Sequence, residues 1–281
     1  MKDNLFLIFG FALVVYSIVS SILFGNYYWY SFYVIGAFIF FGSLNLKNKN
    51  KTVFTLFFEN KLKKIATIYL ACSFLGFLLD VIYGRIIGNL WYYPHLFGIW
   101  SFIIPVFVYY PFGGLKLYEM FYFFKFKLSK IYKNKSYKIS DHIKNFISSL
   151  LIFALILGLL IPVLNFYLNE NKNAKELLVI FGALTTFSFD AIIYKLNKDS
   201  LLFSILERSK PILTTMLICW IIAALSHEYP NTYSWEWVYN IPFTNLEIFR
   251  INVIILTFGW LFLVCVSIRY VDLVLHLLKI K

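Results

Sequence analysis

Residues 80–93 read Asp80-x-x-x-Gly84-Arg85-x-x-Gly88-x-x-Trp91-x-Tyr93, a carboxyl and a guanidinium ahead of two aromatics with polar tips. Ionisable groups inside apolar segments are costly to keep there, so each is a candidate for function. Asp80 has two readings: an interface pair in which Arg85 snorkels outward, or a buried acid that delivers a proton in an apolar pocket. Glu119 follows Pro111, Gly113 and Gly114, with Lys116 three residues earlier on the same helical face, so it is either a salt-bridge partner or a second acid. His227 and Glu228 form either an exposed dipeptide or an acid/base pair, although adjacent helical residues point in different directions. Glu247 precedes Arg250 by three residues near a helix start, where a carboxylate also complements the helix dipole. The candidate catalytic groups are therefore Asp80, Glu119, Glu247 and His227. The candidate substrate contacts are Arg85, Trp91 and Tyr93 with Trp237 and Tyr239. Asp190 and Asp272, the latter beside Arg269, read as interfacial.

Absent motifs narrow the chemistry. The chain has no HExxH, no GxGD, no GxSxG, no P-loop and no DxxxD pair for a metal-bound diphosphate. His95, His142, His227 and His276 are scattered and share no ligand spacing with the cysteines, so no metal and no cofactor is expected. Cys72, Cys219 and Cys265 all fall inside apolar spans and read as buried core thiols without a disulfide. No lysine sits deep in the final helix, which argues against a retinal Schiff base of the rhodopsin type.

The elements that must position these groups are set by hydropathy. Apolar residues make up 60% of the 281 positions and charged ones 14%, with 32 Phe and 21 Tyr, more apolar surface than a soluble core could hide. Ten-residue alternating segments of a membrane barrel do not occur. Eight spans are expected, at 4–24, 29–46, 65–83, 99–124, 146–168, 176–194, 211–227 and 249–271. The fold class is thus all-α, a polytopic transmembrane helical bundle. The fourth span should kink or break at Pro105, Pro111 and its glycines. The first lacks an A-x-A-like cleavage site and reads as a retained helix rather than a signal peptide.

Charge sets the orientation. Of the 26 basic residues, all but Arg85, Lys116, Lys172, Lys175 and Arg250 fall on one side of an eight-span topology. The positive-inside rule then makes the chain a multi-pass cell-membrane protein with both termini cytoplasmic. The formal charge of +12 follows from that topology, so anionic lipid headgroups are expected partners and nucleic acid is not. On the opposite side, 84–100 and 227–248 carry Trp91, Trp100, Trp235 and Trp237 among tyrosines and prolines. They read either as an interfacial aromatic belt or as pieces roofing the bundle. Trp91-x-Tyr93 recurs as Trp237-x-Tyr239, and Gly36-Ala37 as Gly182-Ala183, both at an offset of 146. Two parallel four-helix repeats are expected, residues 1–124 and 146–281, joined by a basic connection at 125–145, with a pocket between them.

The 80–93 run, followed by Pro105 and then Glu119 ahead of an aromatic stretch, resembles the acid-Gly-Gly-aromatic-x-Tyr-Pro pattern of membrane carotenoid enzymes. The likeness is to the bisanhydrobacterioruberin-type hydratases and, more loosely, to the integral-membrane lycopene cyclases with their W-x-Y and P-x-E-E motifs. It covers residues 80–119, with an echo at Trp237-x-Tyr239, Pro242 and Glu247. The resemblance implies acid catalysis on a polyene or other isoprenoid. A buried carboxylic acid, Asp80 first and Glu119 or Glu247 next, would protonate a C=C bond. Trp91, Tyr93 and Trp237 would hold the cation, and water or an internal alkene would complete the reaction without metal or nucleotide. Two other readings stay open: a transporter for a small solute or lipid, and a non-catalytic membrane component of a complex. Acids clustered in a closed pocket favour catalysis, and acids strung along a through-path favour transport.

Overall fold

The computed structural model describes residues 2–132, 137–168, 174–243 and 245–280. Lys133, Lys135, Lys172 and Lys281, counted among the basic residues above, lie outside them. Among the described residues seven helices are long and apolar enough to cross a membrane, the architecture of a multi-pass integral membrane protein. They are α1 (Lys2–Phe24), α2 (Trp29–Lys47), α3 (Leu62–Gly76) with its π-helical continuation Phe77–Ile87, α6 (Asp141–Tyr167), the pair α7 (Ala174–Thr185) and α8 (Ser188–Asn197), α10 (Lys210–Ser234), and α11 (Trp260–Leu277) with the π-helical turn Ile255–Gly259 before it. An eighth run of membrane-spanning length links α4 (Trp100–Ile104), a π-helical turn Pro105–Tyr109 and α5 (Tyr110–Ile131). The short α9 (Leu201–Leu206) lies in a connection. The helical bundle expected from hydropathy is present.

Several boundaries differ from expectation, each for a local reason. The expected fourth span is not among the seven helices apolar enough to cross a membrane, yet its helix does not break: Pro105 opens the π-helical turn and Pro111 sits in the first turn of α5, so the wider turn absorbs the missing N–H donors. The seventh span does not end at 227, because α10 continues through Pro230 to Ser234. It stops at Trp235, whose left-handed φ of 55° terminates the helix. The eighth span begins at Ile255 rather than 249. Before it, β3 (Glu247–Ile248) pairs with β4 (Ile251–Asn252) around Phe249 and Arg250, both at positive φ, the backbone of a tight hairpin turn.

One hydrophobic core joins residues from both ends of the sequence. Leu115, Tyr118 and Phe121 of α5 pack with Cys72 of α3, Met216, Cys219 and Ala223 of α10, and Val264, Cys265 and Ile268 of α11. The three cysteines are free and buried there. Close backbone approach joins α1 to α2, since a Cβ on Gly10 would lie 2.6 Å from the Phe40 nitrogen. Among the described residues, none between 141 and 185 belongs to this core. The α6–α7 hairpin therefore stands against the bundle rather than inside it.

Candidate functional site

The two aromatic segments meet as a short ribbon. β1 (Trp91–Tyr92) pairs antiparallel with β2 (Val238–Tyr239), Trp91 opposite Tyr239 and Tyr92 opposite Val238. The Asn240 N–H donates to the Leu90 carbonyl at 2.7 Å, and Asn231 of α10 grips Trp237 through both its backbone groups, at 2.9 and 3.1 Å. The ribbon roofs one end of the bundle and turns both W-x-Y motifs to the same place.

Below it lies Asp80, fully buried in the π-helical stretch after α3. Its Oδ1 accepts from Trp91 Nε1 at 2.6 Å, from the Tyr93 hydroxyl at 2.9 Å and from Tyr110 at 3.4 Å, while Oδ2 faces Arg85 Nη2 at 2.7 Å. Five residues separate Asp80 from Arg85, and a π-helix, whose own hydrogen bonds run i→i+5, brings such residues onto one face. Arg85 is not a free interface cation. It is largely buried, donates to the Ser101 carbonyl at 2.7 Å and lies 5.3 Å from the Tyr93 ring centroid. Gly84 permits the arrangement, because a Cβ there would fall 2.1 Å from Trp91 Cζ2. The sequence places the acid and its indole donor within one short run, and the missing Cβ lets them touch.

A second acid sits beside the second W-x-Y motif. Glu228 Oε1 accepts from the Tyr239 hydroxyl and from Trp260 Nε1, each at 2.8 Å. Beside it His227 is buried, its Nδ1 against the Ala223 carbonyl and its Nε2 2.8 Å from Lys116 Nζ. A carbonyl only accepts, so the proton sits on Nδ1 and Nε2 accepts from the lysine. Both ring nitrogens are thus engaged, and His227 offers the site its ring, tilted 40° to that of Trp260 with the centroids 4.1 Å apart. A third carboxyl, Glu236 in the connection after α10, is swung inward by the left-handed Trp235. The Tyr109 hydroxyl and the Tyr30 N–H donate to it, the latter at 3.1 Å. Burial drives its carboxyl well above the usual range, against the pull of those two donors. Among the described residues no lysine or arginine is ion-paired to Glu228 or Glu236, in contrast to Asp80.

These groups surround one end of a cavity of about 420 Å³. Tyr30, Trp91, Tyr93, Tyr109, Tyr110, His227, Trp237, Tyr239 and Trp260 line it at the roof, with the carboxyls one layer behind the aromatic rings. The remainder is mostly aliphatic and glycine-rich, with Phe181, Phe189, Phe258 and Phe262 among it. The volume is that of a small-molecule site.

Of the sequence candidates, Asp80, Arg85, Trp91, Tyr93, His227, Trp237 and Tyr239 converge here. Two acids do not. Glu119 neither lines the cavity nor pairs with Lys116; its Oε1 accepts from the Phe54 N–H at 2.8 Å and its Oε2 from Asn45 at 2.7 Å, anchoring a buried 3₁₀ turn, Phe54–Phe57, within the lysine-rich 45–64 connection. Glu247 is exposed in the β3 strand, outside the bundle. Asp190 and Asp272 are buried rather than interfacial: Arg269 Nε meets Asp190 at 2.7 Å and Nη1 meets Asp272 at 2.9 Å. Sequence reasoning passed over Glu236, which reads as a loop acid, and named Glu228 only as the neighbour of His227. The W-x-Y recurrence was the signal pointing to both.

No protein family, no curated protein and no solved structure matches this chain.

Proposed function

We propose that the protein binds a hydrophobic isoprenoid or polyene in this intramembrane cavity and adds a proton to one of its C=C bonds. The observation that carries the reading is the pairing of buried carboxyls with cavity-lining phenols and indoles at one end of an otherwise apolar cavity. Tyr239 is the group in contact with substrate: as its hydroxyl gives its proton to the alkene carbon, it accepts one from the protonated Glu228, reversing the donation it makes at rest. The cation so formed faces the rings of Trp237, Trp260 and Tyr30, whose π-faces stabilise positive charge. Water then adds its oxygen to the cation and returns a proton to the Glu228 carboxylate, so that an alkene and water give an alcohol with no change of redox state. Asp80, ion-paired to Arg85, holds Trp91, Tyr93 and Tyr110 in place and contributes fixed negative charge. This chemistry is the one implied by the likeness of residues 80–119 to the carotenoid hydratases.

Transport would call for ionisable groups along a through-path. Glu119, Asp190 and Asp272 instead sit in hydrogen-bonded networks that do not line the cavity. The test is untargeted lipid mass spectrometry of cells lacking the protein, or carrying Asp80→Asn or Glu228→Gln. An isoprenoid should accumulate in all three strains while both variants remain in the membrane. An unchanged lipid profile in the deletion strain would sink the reading.

A further inference from the structure

The α6–α7 hairpin closes the cavity without joining the core. In α6, 27 residues long, only Ser148 and Pro162 are buried. One face of the hairpin meets lipid and the other meets the cavity through Leu155, Gly158, Leu178, Phe181 and Gly182. At the lysine-rich end it is well fixed: Ser188 donates to the Leu151 carbonyl at 2.9 Å, and Asp190 of the following helix pairs with Arg269. At the roof end the edge of the hairpin that faces the π-helical stretch Phe77–Ile87 is tied twice: the Tyr83 hydroxyl donates to the Leu159 carbonyl of α6 at 3.0 Å, and Leu178 of α7 rests on Gly88.

The α7 margin, facing the turn Ile255–Gly259, differs. Phe258 lines the cavity yet is 59% exposed, and Ala183 is likewise both lining and exposed. Each side of this margin carries a glycine with room around it. A Cβ on Gly182 would have no heavy atom within 4 Å, and one on Gly259 none nearer than 3.7 Å. At the roof, Trp237 lines the cavity, is 7% exposed, and has its indole against Glu228 and Tyr239.

We propose that the cavity takes a linear isoprenoid end first, its end group under Trp237, and that the trailing part of the chain leaves sideways into the bilayer between α7 and the Ile255–Gly259 turn, over Gly182 and Gly259. The isoprenoid identity rests on the proposed function, whereas the sideways mouth rests on exposure and free space alone. A long chain entering from the bilayer keeps its tail in hydrocarbon, so only the reacting end leaves lipid.

The test uses the full chain in phosphatidylcholine vesicles with a C20 isoprenoid alcohol bearing a diazirine at its tail, photolysed and mapped by peptide mass spectrometry. Adducts should concentrate in 181–185 and 254–262. Gly182→Phe and, from the opposite wall, Gly259→Leu should each cut them at least tenfold, while Gly182→Ala leaves them within twofold. Glu119→Gln should label as wild type does, because Glu119 lies outside the cavity lining and away from the mouth. Labelling spread over the lipid-facing residues Leu150, Phe153 and Leu160 and indifferent to both blocking variants would overturn the proposal. If cells show no lipid change while this labelling pattern holds, the acid chemistry fails and the mouth stands. The reverse combination removes the mouth and leaves the chemistry.

Discussion

Gly84→Ala is the sharpest perturbation of the roof, because the added methyl has a computable consequence. Its Cβ would lie 2.1, 2.5 and 2.7 Å from Trp91 Cζ2, Cη2 and Cε2, and restoring a tight contact of 3.4 Å requires the indole to move by about 1.3 Å. The Trp91 Nε1 to Asp80 Oδ1 bond, 2.6 Å long, does not survive a displacement of that size along its axis. A hydrogen bond to a charged group contributes about 1.5–3 kcal/mol, and at roughly 2–4 °C per kcal/mol the melting temperature should fall by about 3–12 °C. Purified protein in detergent, followed by thermal unfolding and by the Trp91 indole resonance in ¹⁵N-labelled samples, reads both effects. Gly113→Ala is the control, since its Cβ would meet nothing nearer than the Tyr30 hydroxyl at 3.5 Å. A Gly84→Ala protein that melts with wild type and keeps its Trp91 resonance would refute the packing argument. In a double-mutant cycle, Asp80→Asn should cost less in the Gly84→Ala background than alone, because both changes cut the same bond.

Three other outcomes follow from the lysine-rich end. Glu119→Gln should lower stability by about 1–3 kcal/mol, since one carboxyl oxygen holding the Phe54 N–H or the Asn45 amide is replaced by a donor; thermal unfolding should show the loss while diazirine labelling of the cavity stays intact. Arg269→Ala strips the buried partner from Asp190 and Asp272 and should cost about 3–5 kcal/mol, read as lost yield of folded protein, with Arg269→Lys recovering only part because it cannot reach both acids in the same geometry. Burial alone would raise the Glu207 carboxyl, but the Lys144 ammonium at 2.6 Å and the Ile139 N–H outweigh it and hold it below the usual range. A depressed carboxyl contributes its stability above the unfolded value and loses it as pH falls through the folded value. Hydrogen exchange of residues 137–144 should therefore accelerate only below the ordinary carboxylate range, and Glu207→Gln should abolish that acid step.

How much of this was legible in the sequence depends on distance along the chain. Asp80, Trp91 and Tyr93 act on one another within fourteen positions, so their spacing already carries the constellation. Trp237 and Tyr239 were reachable through the recurrence of W-x-Y. Hydropathy fixed the spans but not their ends: Pro230 reads as a terminator, yet α10 runs past it, and Glu228 and Asn231 become buried site residues rather than loop groups. Azimuth was illegible as well. Lys116 and Glu119, three apart on α5, look like one salt bridge, but the first turns to His227 on α10 and the second to Asn45 on α2. Which neighbouring helix each side chain meets is a property of the packing, and a single helix does not encode it. Glu247 shows the same limit in another form, since the positive φ of Phe249 and Arg250 delays the last span and leaves this acid outside the bundle.

The measurement that bears most directly on the central claim is proton transfer to carbon. Purified protein reconstituted in vesicles, given the lipid extract of the deletion strain in deuterated water, should convert an isoprenoid to a species heavier by one water, with one deuterium bound to carbon. Glu228→Gln should reduce that conversion at least a hundredfold while leaving diazirine labelling of the cavity unchanged. Saturable labelling with no carbon-bound deuterium in the wild-type reaction would contradict acid chemistry at this site.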